Sequence, residues 1–454
     1  MPALMPLDAL GPRGPYRTQN TERVDDVSGR PVAELSLVPP LYVHRTMAAL
    51  RRAEPLPPGR LRAVLAEAGE LFADGVVDGV SAEAYCRTVA RVSGLPIPVV
   101  RSAAAQLGAH AAGAADTAGL ARPVGAVADW RDETTRKGSG VWVRRGEVLA
   151  VNAPANTPSV HAAWLDAVAF GYRVAIRPSR REPFTPHRLV SALRAAGLGD
   201  DRLVLLPGEH RTADVMISDA DLAVAFGGDD VVRGYGTGVL SQGPGRSKVL
   251  LTADADRTSF LDTVVESVAG QAGTGCVNAT AVFVEGDPGP VAERIAARLA
   301  ELPVLPPEDD RAALPVRPVA EAKALDDFLR DRADGAKCLL GQHGIVAELG
   351  DGSAVLTPAV HLLDRADAPQ TRVELGFPCV WVAPWSRAVG IAPLRDTLVL
   401  TAFTDDEGLL DGLLREPTIA NVHVGAYPTN WKRPGLPHDG YLGEFLMRGK
   451  TFVR

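Results

Sequence analysis

Hydrophobic and polar positions follow two different periods along this chain. Leu61, Val64, Leu65, Ala68, Leu71 and Phe72 recur at helical spacing, which predicts an amphipathic helix. Ser81 followed by Glu83 and Ala84 predicts the start of a second helix, with a stop near Gly94-Leu95-Pro96. The alanine-rich stretch 99–112 predicts a third. The first forty residues are rich in Pro, Gly and Arg and show no clear period. They are expected to form a loosely ordered arm or an accessory strand.

From Gly140 onward the pattern becomes an alternation. Residues 146–151, 172–176, 202–206 and 222–226 read as strands, and 159–170 and 186–196 as helices. Strands alternating with helices of this length imply a parallel sheet with helices on its faces. A second series begins near Thr258 and runs to about Val424. The fold class is therefore α/β, with no internal repeat.

Composition narrows the picture. The chain has 454 residues, enough for two or three domains. With 46% hydrophobic and 23% charged residues it has the make-up of an ordinary globular protein. A net charge of −7 argues against bulk binding of nucleic acid or anionic membrane. No apolar run reaches the length of a membrane span, and the N-terminus lacks the regions of a signal peptide. Cys86, Cys276, Cys338 and Cys379 form no CxxC pair, so neither a metal site nor a disulfide framework is expected. A reducing cytoplasm is the simplest compartment.

One cysteine stands apart. Gly270-Gln271-Ala272-Gly273-Thr274-Gly275-Cys276-Val277-Asn278 places a thiol in a glycine cradle before the strand-like run 281–284. Glycines let a backbone approach a ligand closely. The thiol reads as presented to a substrate, and so as a nucleophile. The default for a cysteine is a small buried residue, and the other three have no surroundings that argue otherwise.

Several motifs now line up with a known family. Pro154-Ala155-Asn156-Thr157-Pro158, Arg177-Pro178-Ser179, Leu206-Pro207-Gly208, Phe226-Gly227-Gly228-Asp229, Cys276, Glu374-Leu375-Gly376-Phe377-Pro378 and Gly440-Tyr441-Leu442-Gly443-Glu444-Phe445 occur in that order. Together with Lys450-Thr451 they resemble the landmarks of the aldehyde dehydrogenase superfamily from about Gly140 to the end. The first hundred residues add little to the match.

The resemblance implies roles. Cys276 would be the catalytic thiol. Asn156 would donate, with the Cys276 N–H, to the oxyanion of a tetrahedral intermediate, a donor worth about 3 kcal/mol. On its own, an asparagine after a strand reads equally as a turn residue. Glu374 would hold the nicotinamide ribose, and Phe377 lies in the same motif. Gly208, Phe226, Gly227 and Gly228 would line the cofactor site, the last three beside its diphosphate. Arg177 stands where relatives have a lysine touching the adenosine ribose, with Ser179 beside it. Arg180 stands where NAD-preferring relatives have a glutamate for the ribose hydroxyls. A guanidinium suits a 2′-phosphate, which points to NADP(H) ahead of NAD. A solvated basic turn, Arg180-Arg181, is the alternative. The cluster Gly234-Tyr235-Gly236-Thr237-Gly238 lacks dinucleotide-fingerprint spacing and reads as a flexible connection.

The strongest departure from the family is an absence. Hydrolytic relatives carry a Glu-Leu-Gly-Gly-Lys motif whose glutamate activates water. The matching stretch here is Ser241-Gln242-Gly243-Pro244-Gly245-Arg246-Ser247-Lys248, and no Asp or Glu occurs from Val231 through Thr252. Without that base an acyl-enzyme would exchange with a thiol. The expectation is an NADPH-dependent reductase of an acyl thioester, similar to the acyl-CoA reductases of bacterial bioluminescence, with the acyl group on CoA or an acyl-carrier protein. The alternatives are a hydrolytic NAD(P)-dependent aldehyde dehydrogenase using Glu266 or Glu374 as base, an acyl-phosphate reductase, and a catalytically silent scaffold.

The resemblance also implies two Rossmann-like α/β domains and a small oligomerisation element. The expected division is 1–250 for the N-terminal helices and cofactor domain, 251–430 for the catalytic domain, and 431–454 for a returning C-terminal segment. The oligomerisation strand is expected near 120–145, within it residues 140–144. A final strand beginning near Thr451, four residues from the chain's end, favours a homodimer over a tetramer. Trp164, Tyr235 and Phe377 read either as an apolar channel or as core. His161 and His187 are given no chemistry.

Overall fold

The computed structural model describes residues 4–227, 236–254 and 260–454. Two seven-stranded sheets dominate it. The first runs Val239–Gln242, Leu222–Phe226, Val148–Asn152, Arg173–Arg177, Leu203–Leu205, Ala9–Gly11, Gly14–Tyr16. Its first five strands are parallel and its last two antiparallel. Val148, Leu149, Ala150 and Val151 are all buried. A parallel strand covered by helices on both faces must be apolar on both, which is why no alternation shows there.

One face of this sheet is covered by the helices Pro58–Asp74, Ala82–Ser93, Ile97–Thr117, Ala162–Ala169 and Phe184–Ala195. The other carries Pro40–Arg52 and His210–Asp219. The second helix begins where its sequence predicts: the Ser81 side chain accepts from the Ala84 N–H, and Gly94 closes the helix in the left-handed conformation. The third is longer than its alanine run, because Ile97 and Ala114 extend the buried face.

The second sheet runs Lys337–Leu340, Ala359–Leu362, Cys379–Trp385, Ala279–Glu285, Ser247–Leu251, Thr397–Phe403, Ile419–Val424. All neighbours are parallel except Lys337–Leu340. Phe260–Ala269 and Gly289–Leu299 pack one face. Val319–Arg332 and Glu407–Arg415 pack the other.

One sequence expectation is narrowed and one is corrected. The first forty residues take the accessory-strand alternative and are not a loose arm. They form the short strands Met5–Leu7, Ala9–Gly11, Gly14–Tyr16, Thr21–Asp25 and Pro31–Ser36, which bury Leu7, Val24, Ala33 and Leu35. Strands of three to six residues are too short to show a period. The final strand is Met447–Phe452 and starts before Thr451. It pairs antiparallel along the whole of Ser139–Arg144, which in turn pairs with Ala126–Val127. The premise for a shortened terminal strand is therefore removed. No described helix is long and apolar enough to cross a membrane.

Candidate active site

The thiol loop is built by backbone geometry. After the helix Phe260–Ala269 the chain passes through Gln271, Ala272 and Gly273 at positive φ (54°, 62° and 67°). Such conformations are uncommon for side-chain-bearing residues. Asn278 holds the loop from inside: its Oδ1 accepts from the Gly275 N–H at 2.8 Å, and its Nδ2 donates to the carbonyls of Gly270 (2.7 Å) and Ser267 (3.1 Å). Cys276 then precedes the strand Ala279–Glu285 and is partly exposed, flanked by buried Gly275 and Val277.

The stretch that lacks an acidic residue lies directly against this loop. A Cβ on Gly245 would sit 1.8 Å from the Cys276 carbonyl oxygen, so only glycine fits there. The Ser247 Oγ–H donates to the same oxygen at 3.0 Å. Glu374 is tied to this stretch as well, accepting from the Arg246 N–H at 2.5 Å. Burial pushes the Glu374 carboxyl up, and the Arg246 amide and guanidinium oppose the rise.

Asn156 reaches the thiol loop from the segment after the strand Val148–Asn152 of the first sheet. Its Nδ2 donates to the Thr274 carbonyl at 3.5 Å, and the Thr274 Oγ–H donates back to the Asn156 carbonyl at 3.3 Å. The second N–H of that amide has no partner among the described residues. The Thr274, Gly275 and Asn278 N–H groups are engaged within the loop. That of Cys276 favours the ionised form of its own thiol. Cys276, Asn156 and Glu374 are thus brought to one place from three separated stretches.

Three residues that sequence reasoning missed complete the surroundings. His438 Nε2 lies 3.9 Å from Cys276 Sγ. Lys432 and Asp439 act on the same thiol. All three lie in the loop between Ile419–Val424 and the short helix Leu442–Leu446. Their only sequence signal is position, just ahead of the 440–445 signature. Burial pushes the Cys276 thiol up to about 11, Glu374 and Asp439 add to the rise, and Lys432 opposes it. Burial and Lys432 push His438 down to about 3.

The other cysteines have no such neighbours. Burial pushes Cys86 up to about 11 and raises Cys379 and Cys338. All four thiols are free. Trp164 and Phe377 are core side chains, each 1% exposed, and the Trp164 indole donates to His161. That resolves the channel-or-core choice for these two; Tyr235 lies outside the described residues.

Of the proposed cofactor residues, Arg177, Ser179, Arg180, Gly208, Phe226 and Gly227 lie at the carboxyl edge of the first sheet, around the central strand Val148–Asn152. There the strand order reverses, the usual place for a dinucleotide in an open α/β sheet. Arg177 is buried and donates to Gly208 O (2.9 Å) and Asn152 Oδ1 (2.9 Å). Ser179 Oγ accepts from the Arg181 N–H. Arg180 is ion-paired to Glu22 at 2.5 Å. Phe226 ends its strand, and the Gly227 N–H donates to Gln242 O at 3.1 Å. Gly228 lies outside the described residues, as do Asp229 and part of the 234–238 cluster. Among the described residues no group of His, Cys, Asp and Glu could hold a metal ion.

Comparison with known proteins decides the family. The sequence profile of the aldehyde dehydrogenase family matches residues 97–390. The chain belongs to the aldehyde dehydrogenase family. Among its relatives, malonate-semialdehyde dehydrogenase 2 of Bacillus mycoides is 28% identical over 179 residues, 37% of this chain and 36% of that protein. A probable methylmalonate-semialdehyde/malonate-semialdehyde dehydrogenase (acylating) of Caenorhabditis elegans is 26% identical over 151 residues, 31% of this chain and 29% of that protein. The matched stretch thus spans about a third of these relatives, which bear the names of semialdehyde dehydrogenases and not of acyl-CoA reductases.

The aldehyde dehydrogenase fold is shared along the whole chain. An NADP-dependent enzyme of E. coli superposes with a TM-score of 0.83 at 16% identity, covering 98% of each chain. An indole-3-acetaldehyde dehydrogenase complexed with NAD+ gives 0.81 at 17% identity, covering 99% of this chain and 97% of that one. These likenesses show that the fold is that of the aldehyde dehydrogenases.

Proposed function

We propose that this aldehyde dehydrogenase interconverts an acyl thioester and an aldehyde, acting as an NADPH-dependent acyl-thioester reductase through a Cys276 thioester. The observation that carries the reading is the contact between Gly245 and Cys276. The stretch matching the family's water-activating motif lies against the thiol loop, and it carries no carboxylate. Glu266 is engaged elsewhere, accepting from Asn430 Nδ2 at 2.7 Å. Glu374 is held by the Arg246 amide.

The residues divide the chemistry among them. Cys276 Sγ attacks the thioester carbonyl carbon. The free Asn156 N–H and the Cys276 N–H stabilise the oxyanion, and the donor thiol leaves. NADPH, when bound, supplies a hydride to the acyl carbon. Glu374 and the edge formed by Arg177, Ser179, Arg180, Gly208, Phe226 and Gly227 would hold that cofactor. The resulting thiohemiacetal on Cys276 collapses, releasing the aldehyde and the thiolate, which regains a proton from solvent.

The strand reversal at Val148–Asn152 fits a dinucleotide. The Arg180–Glu22 pair bears on which one, since a 2′-phosphate has to displace Glu22 to reach the guanidinium. The oxidative direction has its own support in the names of the relatives. An aldehyde passed to a thiol as a thioester runs through the same steps in reverse. Product analysis with a panel of acyl-CoAs and acyl-carrier proteins tests the reading: aldehyde formed with NADPH consumption supports it, and turnover of free aldehydes to acids alone opposes it. A homo-oligomer and a cytoplasmic setting remain part of the proposal.

A further inference from the structure

The loop after the strand Ile419–Val424 is firmly anchored over the thiol domain. The Thr429 N–H donates to Ser267 Oγ at 3.0 Å, and Asn430 Nδ2 to Glu266 Oε1 at 2.7 Å. Trp431 packs edge-on against Tyr427 (5.3 Å) and His423 (5.7 Å). The His438 carbonyl accepts from the Asn421 side chain. These contacts fix His438 with Nε2 3.9 Å from Cys276 Sγ, within reach of a sulfur hydrogen bond.

We infer that His438 is the proton-transfer partner of Cys276, its Nε2 accepting the Sγ proton as the sulfur attacks and returning it to the departing group. In the first step the S–H bond breaks, the Sγ–carbon bond forms and His438 becomes imidazolium. In the second the tetrahedral adduct collapses, the bond to the leaving sulfur breaks, and that sulfur takes the Nε2 proton. His438 ends neutral, with no net proton change in acyl transfer. The second step rests on the thioester reading above; the first needs only a nucleophilic Cys276.

The resting charges oppose transfer before attack, and the geometry alone carries the pairing. The groups bearing on the pair are Glu374, Asp439 and Lys432. With the thiol held near 11 and His438 near 3, the pair rests at neutral pH as thiol and neutral imidazole. A base held this low takes the proton only in concert with attack, as the sulfur becomes acidic on bonding to carbon. Lys432 opposes the rise of the thiol and so favours the thiolate as it forms. A histidine in this place supplies the proton transfer to sulfur without supplying a carboxylate base for water.

The test uses the full chain and needs no substrate. Alkylation of Cys276 by iodoacetamide is followed by peptide mass spectrometry, with the partly exposed Cys338 as internal reference and thermal melting as the check on folding. In His438→Gln the Cys276 rate is expected to fall about 100-fold near pH 7.5. The gap narrows as pH rises and hydroxide takes over, and Cys338 is unaffected. In His438→Ala, added imidazole restores much of the lost rate. An unchanged Cys276 rate in His438→Gln overturns the inference, and so does a fall that imidazole cannot rescue. If the rate falls and is rescued while wild type turns over no acyl thioester, the pairing stands and the thioester reading fails.

Discussion

Gly245 and Cys276 touch through their backbones. Any side chain at Gly245 would begin 1.8 Å from the Cys276 carbonyl oxygen, which also accepts from Ser247 Oγ. The strand that starts the second sheet and the loop that carries the nucleophile are therefore set by one contact. Replacing Gly245 by alanine must displace one of them. Gly245→Ala is expected to lower stability by about 1–3 kcal/mol, as overpacking does. It should slow thiol modification of Cys276 while leaving Cys338 unchanged. Urea denaturation with thiol titration checks both.

Aligning Gly245-Arg246 with the last two positions of Glu-Leu-Gly-Gly-Lys puts Gln242 in the glutamate's place. Gln242 ends the strand Val239–Gln242, level with Phe226 at the carboxyl edge. Gln242→Glu restores a general base there, a group worth about 100-fold or more. The variant is expected to release free acid from an acyl-enzyme, at the expense of exchange with thiols. Chromatography of products formed from an aldehyde and NADP reads the ratio directly.

Arg180 meets Glu22 on the strand Thr21–Asp25. If Arg180 receives the 2′-phosphate, Arg180→Ala loses a charge-assisted hydrogen bond. The KM for NADPH should rise about tenfold or more, with that for NADH little changed. Glu22→Gln, which frees the guanidinium, should lower the KM for NADPH. Equal effects on both cofactors would return Arg180 to the role of a basic turn.

Alkaline pH should weaken the fold through its thiols. Cys86 and Cys276 each titrate near 11 in the folded chain, above the usual value of 9. The folded state thus keeps protons that the unfolded state releases. Stability is fully present below about pH 9 and falls as pH rises through 11. The melting temperature should drop more between pH 8 and pH 10.5 than between pH 6 and pH 8. Cys276→Ser, which cannot titrate, should lessen the drop.

Much of the scaffold was legible in the residues. The Ser81 cap, the Gly94 stop and the buried run 148–151 are local signals, and each formed as read. The thiol, the amide and Glu374 were legible only through ordered motifs, because the contacts joining them span up to 128 residues. His438 gave no signal beyond its position, since a histidine in a Pro- and Gly-rich loop has no period. It meets a thiol 162 residues away only once the second sheet has formed. The strand Met447–Phe452 was misplaced for a related reason. Four of its six residues are exposed, so no alternation marks it.

The central claim is that Cys276 exchanges acyl groups with thiols and does not pass them to water. The most direct measurement is to incubate the enzyme with NADPH and an acyl thioester and to count aldehyde, free thiol and carboxylic acid against NADPH consumed. The account predicts one aldehyde and one free thiol for each NADPH, with no acid. Acid as the main product, or no NADPH consumption with any thioester while aldehydes are oxidised to acids, would contradict it.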